Sequence, residues 1–395
     1  MKLETLWWYR RKKRGATPPI ITSAAPTGIA YGVAVNHPYT ATGSTPITWS
    51  VTAGALPTGL SLNAGTGALT GTPTASGAFS WTVTATNTAG TALEVLPGFT
   101  VTTTGAATLT IALLTVSAST TVFWGDGNSD AYTGTGTRTH NYAGAGTWRV
   151  YFSSAATITA LALGDNKITL NSAGIKSLTN ITNAAFSSLK AGTFDSADVS
   201  AWRPTYFKLY SMPAGYAGTF DSADVSAWRP YYFYLFSMPA GYAGTLNSSD
   251  MTAWNVGDFR FFSMPAGYAG TFDLDDAGGW TGNGAFQMYS MPASYSFTVP
   301  LSATNKWRAT TTLRLDNNSF LQATVDAVLS YFYTALTTRV AVNGSLEVGG
   351  NNAAPSGTLG AACPPTTGKE FAYELANDSC AINPTKKWAA VTITA

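Results

Sequence analysis

The chain is 395 residues long, with 22 Lys+Arg against 20 Asp+Glu, a formal net charge of +2 and only 11% charged residues, less than half the usual ~25%. Its 45% apolar and 13% aromatic content, with 39 Gly and 19 Pro, excludes a disordered charged tail and predicts β-rich structure in two to four domains of ~100 to 200 residues. Two His and two Cys cannot form a Cys/His zinc cluster, and no HExxH, GxSxG or GxxxxGK[ST] string occurs, so no enzymatic activity is expected; no run of eighteen apolar residues spans a bilayer.

Residues 1–16 form a basic-aromatic arm in which Trp7, Trp8 and Tyr9 precede Arg10, Arg11, Lys12, Lys13 and Arg14. A secretory signal has the opposite order, cations first. The functional reading is a docking or attachment arm, with aromatics for a groove or membrane interface and cations for phosphate or acidic protein; the plainer reading is a solvated tail.

From 17 to 103 the chain alternates with period two between turn clusters, as in Ile47–Val51 and Phe79–Thr84, which describes a β-sandwich. The stretch from Leu56 to Pro73 reads LPTGLSLNAGTGALTGTP. It resembles the Ig-fold repeat family of bacterial and phage surface proteins, which implies a spacer domain with Trp49 and Trp81 in its core. Residues 104–156 carry Trp124-Gly-Asp-Gly127, then His140-Asn-Tyr142, then Gly146–Phe152. This segment resembles PKD-type Ig-like domains. Gly125 and Gly127 are expected in turn geometry closed to other residues, with Asp126 bonding nearby amides and His140 in a strand-edge hydrogen bond.

The segment 157–352 repeats. Ala-Gly-Thr begins at Ala191, Ala217, Ala243 and Ala269, Trp recurs at 202, 228, 254 and 280, and Ser-Met-Pro-Ala starts at 211, 237, 263 and 290, a period of 26 and then 27. Such a period predicts a solenoid whose coils bury a face against their neighbours. Leu161–Asn166 and Leu313–Asn318 read LxLxxN, and Leu346–Asn351 follows with Val348 at the second Leu; this region resembles leucine-rich repeat proteins, which implies a strand at each such position and short convex helices, including one over Leu321–Phe332. The Ser-Met-Pro coils depart from the asparagine of that pattern. Coils are expected to start near 161, 181, 207, 233, 259, 286, 313 and 346, giving a sheet ~34 Å long.

With Phe207, Leu209 and their equivalents inward, the residues between them point out. One outward column is Lys208, Tyr234, Arg260 and Gln287, a second is Tyr210, Phe236, Phe262 and Tyr289, and Tyr206 and Tyr232 extend them. This concave face is the candidate ligand-binding site, for sugar rings or protein hot spots; cross-strand stacking that only stabilises the sheet is the competing reading. Asp195, Asp221, Asn247 and Asp273 precede Asp198, Asp224, Asp250 and Asp276 by three residues. The spacing predicts N-caps with an acid in the first helical turn, and stacked calcium sites are the lesser alternative, so no cofactor is expected.

Residues 353–395 are expected to cap the last coil, with Cys363 and Cys380 as a candidate disulfide. The whole reads as a mainly β chain: two Ig-like sandwiches followed by a leucine-rich-repeat-like solenoid. The order resembles tailed-phage fibres and decoration proteins, so the expected role is structural and adhesive, on a virion surface, homo-oligomeric, without specific nucleic acid. A secreted bacterial adhesin and a self-assembling extracellular filament are the alternatives.

Overall fold

The structure is a computed structural model and describes residues 19–21, 23, 26, 29, 31–75, 81–93, 97–277, 280, 284–299, 312–335, 345–377, 379–380, 388 and 390–393. The arm residues Trp7 to Arg14 lie outside the described residues. The fold is mainly β, and the chain divides into two compact units, one of 1–98, 120–132 and 148–155, the other of 99–119, 133–147 and 156–395.

In the first unit, the strands Val35–Pro38, Ala68–Gly71 and Leu60–Leu62 form one antiparallel sheet, and Thr48–Gly54, Trp81–Asn87 and Gly90–Leu93 form another. Tyr39, Trp49, Leu69, Val83 and Ala85 are the buried core, with Trp81 packed against it and donating from Nε1 to the Tyr39 hydroxyl at 3.3 Å. The glycine-rich motif has a steric reason. A Cβ on Gly71 would lie 2.0 Å from the carbonyl oxygen of Gly59, and one on Gly67 would meet the Trp49 indole, so both turns admit only glycine. Asn63 Oδ1 closes the intervening turn by accepting from Gly65 N and Thr66 N. Further along, Gly125 and Gly127 take φ of +87° and +97°, and Asp126 accepts from Asn128 N, as the WGDG string predicts. His140 stands in the strand Ser129–Tyr142 with its ring edge-on to Tyr142.

The second unit is built on two parallel ladders. The first runs Ile158–Leu163, Asn183–Ser187, Tyr206–Tyr210, Tyr232–Phe236, Asp258–Phe262, Ala285–Gln287, Thr312–Arg314, Ser345–Glu347 and Ala390–Thr392, each parallel to the next. The last of these is a finding: the C-terminal strand expected only as part of a cap pairs with Ser345–Glu347 and prolongs the ladder. The other end is covered by an antiparallel partner, residues 111–116. The second ladder runs Ile168–Asn171, Ala191–Thr193, Tyr216–Thr219, Tyr242–Thr245, Tyr268–Asp273 and Tyr295–Thr298.

Each repeat thus contributes one strand to each ladder, and register puts equivalent residues in rows. Phe207, Phe233, Phe259, Phe286, Leu313 and Leu346 form an inward row no more than 3% exposed. Trp228, Trp254 and Trp280 pack against Phe207, Phe233 and Phe259, and Trp202 is likewise buried. The Ala-Gly-Thr motif marks where coils approach most closely: Gly192, Gly218, Gly244 and Gly270 have φ between +129° and +143°, and a Cβ there would fall 1.9–2.3 Å from the carbonyl oxygen of the preceding coil.

Two local expectations are corrected. Asp195, Asp221 and Asn247 precede single 3-10 turns, Ser196–Val199, Ser222–Val225 and Ser248–Met251, and none caps its own turn. Their carboxylate or amide oxygens instead accept from the amides of Thr219, Thr245 and Thr271 one coil on. Only Asp273 makes a local cap among the described residues, accepting from Asp275 N. The asparagine pattern also shifts. Asn318 and Asn352, rather than Asn351, point inward, each Nδ2 donating to two carbonyl oxygens, and Asn318 N donates to Asn352 Oδ1. Asn166 is exposed. In the Ser-Met-Pro coils, Met212, Met238, Met264 and Met291 are buried at the position Asn318 holds, and the preceding serines take φ of +52° to +53°.

Near the C-terminus the helix Gln322–Ala335 matches its expectation, and a further helix, Gly368–Asn377, lies within the segment expected only as a cap. Cys363 and Cys380 are joined as a disulfide. Buried Glu374 accepts from Ser379 Oγ and Cys380 N beside it.

Candidate functional site

The outward face of the first ladder holds every residue assigned to the concave site. Tyr206 pairs in register with Tyr232, Lys208 with Tyr234 and then Arg260, and Tyr210 with Phe236 and then Phe262; Gln287 follows Arg260. All are half-buried except Tyr206, which is exposed. Strand pairing is the reason for the rows, because identical spacing in successive coils leaves no freedom of offset.

The rings are mutually stacked. Tyr210 and Phe236 lie 5.0 Å apart between centroids, Phe236 and Phe262 4.4 Å, and Phe262 and Tyr289 4.3 Å, with interplanar angles of 12° to 23°. The column ends under Arg314, whose guanidinium lies 3.9 Å from the Tyr289 centroid. Tyr206 and Tyr232 stack in the same way at 4.7 Å. Rings stacked along the ladder cover each other's faces, so solvent meets mainly their edges.

The middle column is polar. Arg260 donates from Nε and Nη2 to both oxygens of Asp258 at 2.9 and 3.0 Å, and the Tyr234 hydroxyl donates to the same carboxylate at 3.0 Å. Burial first, then the Asp258 charge and this hydrogen bond, push the Tyr234 pKa up to about 12. Arg314 likewise engages Asp316 and Glu347. Lys208 differs: its ammonium lies over the rings of Tyr234 and Tyr232 at 4.6 and 5.5 Å, and no carboxylate pairs with it among the described residues. Asp258, Arg314, Asp316 and Glu347 belong to this face and were not assigned to it from sequence. The register that assigns Gln287 also reaches Arg314 and Glu347, and that continuation was the available signal.

The acid columns lie elsewhere and do structural work. Ser172, Ser196, Ser222 and Ser248 are buried, and each hydroxyl donates to a carboxylate of the following coil, Asp198, Asp224, Asp250 and Asp276, at 2.6–2.7 Å. Each also accepts a backbone amide of that coil, from Asp195, Asp221, Asn247 and Asp273. Ser222→Ala strands the Asp250 carboxylate and the Asn247 amide together, and an expected loss of about 1–3 kcal/mol follows. Urea denaturation with Ser226→Ala as control checks it; equal midpoints would remove the ladder from the account.

The second-ladder tyrosines give the fold an alkaline limit. Burial raises the pKa of Tyr242, Tyr268 and Tyr295 well above the ordinary phenol value. A pKa raised on folding means a stability contribution fully present below pH ~10 and lost as pH rises towards the folded value. An alkaline titration should therefore show these phenols ionising only together with loss of β-sheet circular dichroism; early, reversible ionisation of every tyrosine would contradict the burial.

No helix among the described residues is long and apolar enough to cross a membrane. No curated protein and no solved structure matches the chain. Residues 14–122 match the family model described as Putative Ig domain, and this part of the chain carries an Ig-like domain.

Proposed function

We propose that the protein is a non-enzymatic adhesion protein, that its second unit is a leucine-rich-repeat-like solenoid, and that it holds a surface glycan or protein on the outward face of the first ladder. One observation carries this reading: Tyr210, Phe236, Phe262 and Tyr289 stand in register on the outward side, while a separate row of Phe and Leu fills the interior. Four aromatics in one outward row are a large apolar area for a wet face, which favours a binding role beyond the cross-strand stacking they also provide. The paired Asn318 and Asn352 side chains support the leucine-rich-repeat reading, and the WGDG turn supports a PKD-like reading of 104–156. The carboxylates of Asp195, Asp198, Asp221, Asp224, Asp250 and Asp276 are committed to coil-to-coil hydrogen bonds, which favours a structural role over paired catalytic acids.

The setting we favour is the surface of a tailed-phage virion, with the N-terminal arm toward other virion proteins and the chain in a homo-oligomer; a bacterial cell-surface adhesin is the second setting. Electron microscopy with labelled antibody separates them by showing the chain on particles or on virus-free cells. For the face itself, changing Tyr210, Phe236, Phe262 and Tyr289 together to Ser should abolish adsorption to host cells while circular dichroism is retained. Undiminished adsorption by the folded variant would reduce the column to sheet stabilisation.

A further inference from the structure

The aromatic columns have one open end. Toward the C-terminus Tyr289 is covered by Arg314, but toward the N-terminus the strand Asn183–Ser187 pairs with Tyr206–Tyr210 and presents only small outward side chains: Asn183 beneath Tyr206, Ala185 beneath Lys208 and Ser187 beneath Tyr210. The next strand out is smaller still, with Ala162 opposite Ala185. The result is a step. Tyr206 and Tyr210 each stack on one ring only, Tyr232 and Phe236, so the other face of each looks over this shelf with no ring upon it among the described residues. In the column from Tyr210 to Tyr289 the other ring faces are occupied by their neighbours or by Arg314, and Tyr210 is where a flat ligand finds one free.

Three further features of the step define the ligand. Lys208 stands between the two tyrosines and is the cation of this face without a carboxylate partner among the described residues, whereas Arg260 and Arg314 are neutralised by Asp258 and by Asp316 and Glu347. Neither the Asn183 amide nor the Ser187 hydroxyl is engaged in a side-chain hydrogen bond among the described residues, so both remain available to hydroxyl groups. Tyr206 and Tyr210 lie four residues apart along one strand, ~13 Å, which a linear chain of rings can span and a single ring cannot.

Resting on the adhesion reading above, we infer that this step is the binding position of the face and that its ligand is a linear acidic oligosaccharide. A pyranose ring takes the place of the aromatic ring that Ser187 lacks, laying its C–H face on Tyr210, and a second does so on Tyr206. A carboxylate carried between them draws the Lys208 ammonium from over Tyr234 and Tyr232 towards the shelf. The apolar face of a sugar suits the electron-rich face of a tyrosine, and the ammonium supplies the charge complement.

Ser187→Phe tests the inference by adding one ring to the existing stack, which covers the free face of Tyr210 and also removes the Ser187 hydroxyl. Ala185→Tyr obstructs the same shelf from its middle without removing a polar group, and Lys208→Gln removes the ammonium together with its contacts over Tyr234 and Tyr232. Each is to be compared with the unaltered protein on an array of uronate- and sialate-bearing oligosaccharides beside their methyl-esterified or neutral counterparts. Carboxylated members should be retained by the unaltered protein, and each substitution, like esterification, should weaken retention about tenfold or more. Thermal melting verifies folding, and Ala185→Tyr decides should Ser187→Phe fail to fold. Equal binding by folded Ser187→Phe or Ala185→Tyr, or no preference for carboxylated members, overturns the inference. An array without any bound glycan overturns it too; if host-cell adsorption is then still lost on changing the four stacked residues to Ser, the adhesion reading stands and only the acidic-glycan step falls.

Discussion

Gly244→Ala is expected to be among the most damaging single-methyl changes in the second unit, costing about 3 kcal/mol or more and lowering Tm by about 6–12 °C for a unit of this size. Two independent costs coincide. The residue sits at φ +143°, where L side chains are strained, and its Cβ would lie 2.3 Å from the carbonyl oxygen of Phe220 and 2.8 Å from the Phe220 amide nitrogen. Backbone cannot yield as a flexible side chain can, so the two coils must separate. Gly215→Ala is the matched control, because its Cβ would meet nothing nearer than the Ala191 methyl at 3.9 Å. Equal melting temperatures for the two variants would show that the second-ladder strands do not approach as closely as described.

The other large effect is expected for Phe233→Ala, at about 3–5 kcal/mol. Phe233 is fully buried and touches rings of three successive coils: Phe207 and Phe220 on one side, Phe259 and Trp254 on the other, all within 5.0–5.8 Å between centroids. The cavity therefore opens between coils rather than inside one. Hydrogen exchange should accelerate across 206–219 and 258–271 before it does near Thr312–Arg314, since coils couple only to their neighbours. Outward Phe236→Ala, losing two stacked pairs on a half-wet face, should cost less, about 1–3 kcal/mol. Uniform exchange throughout the unit, or equal losses for the two phenylalanines, would contradict this division of inside from outside.

How much of this was legible follows from the kind of signal each element carries. The Ig-like motif could be read because its glycines answer to local backbone geometry, and the outward columns because a fixed period with two-residue alternation determines register. The Asp columns misled for a physical reason. An Asp or Asn followed three residues later by an Asp is the same string whether its oxygens close their own turn or reach the next coil, and a local reading finds only the first. Ser196 and Ser222 were passed over although they recur in that string, since a serine acquires its double role only when another coil lies upon it. Asn352 displaced Asn351 because one extra residue enters that bend, which spacing alone does not reveal. The step at Asn183–Ser187 escaped notice because small residues leave no pattern; it becomes a feature only beside the tyrosines of the following strand.

The closeness of Gly218 and Gly244 to the coils before them, and the relay from Ser196 to Asp224 and from Ser222 to Asp250, treat every middle repeat alike. A copy of residues 217–242 spliced in at that junction would find each of its partners already waiting, and one removed would leave its neighbours able to meet. Near-identical stretches in the encoding gene invite such gains and losses through unequal crossover. The reach of the aromatic column can thus change by whole rungs without any new contact having to evolve, whereas the step at its open end, made by the unlike strand Asn183–Ser187, is carried through unchanged.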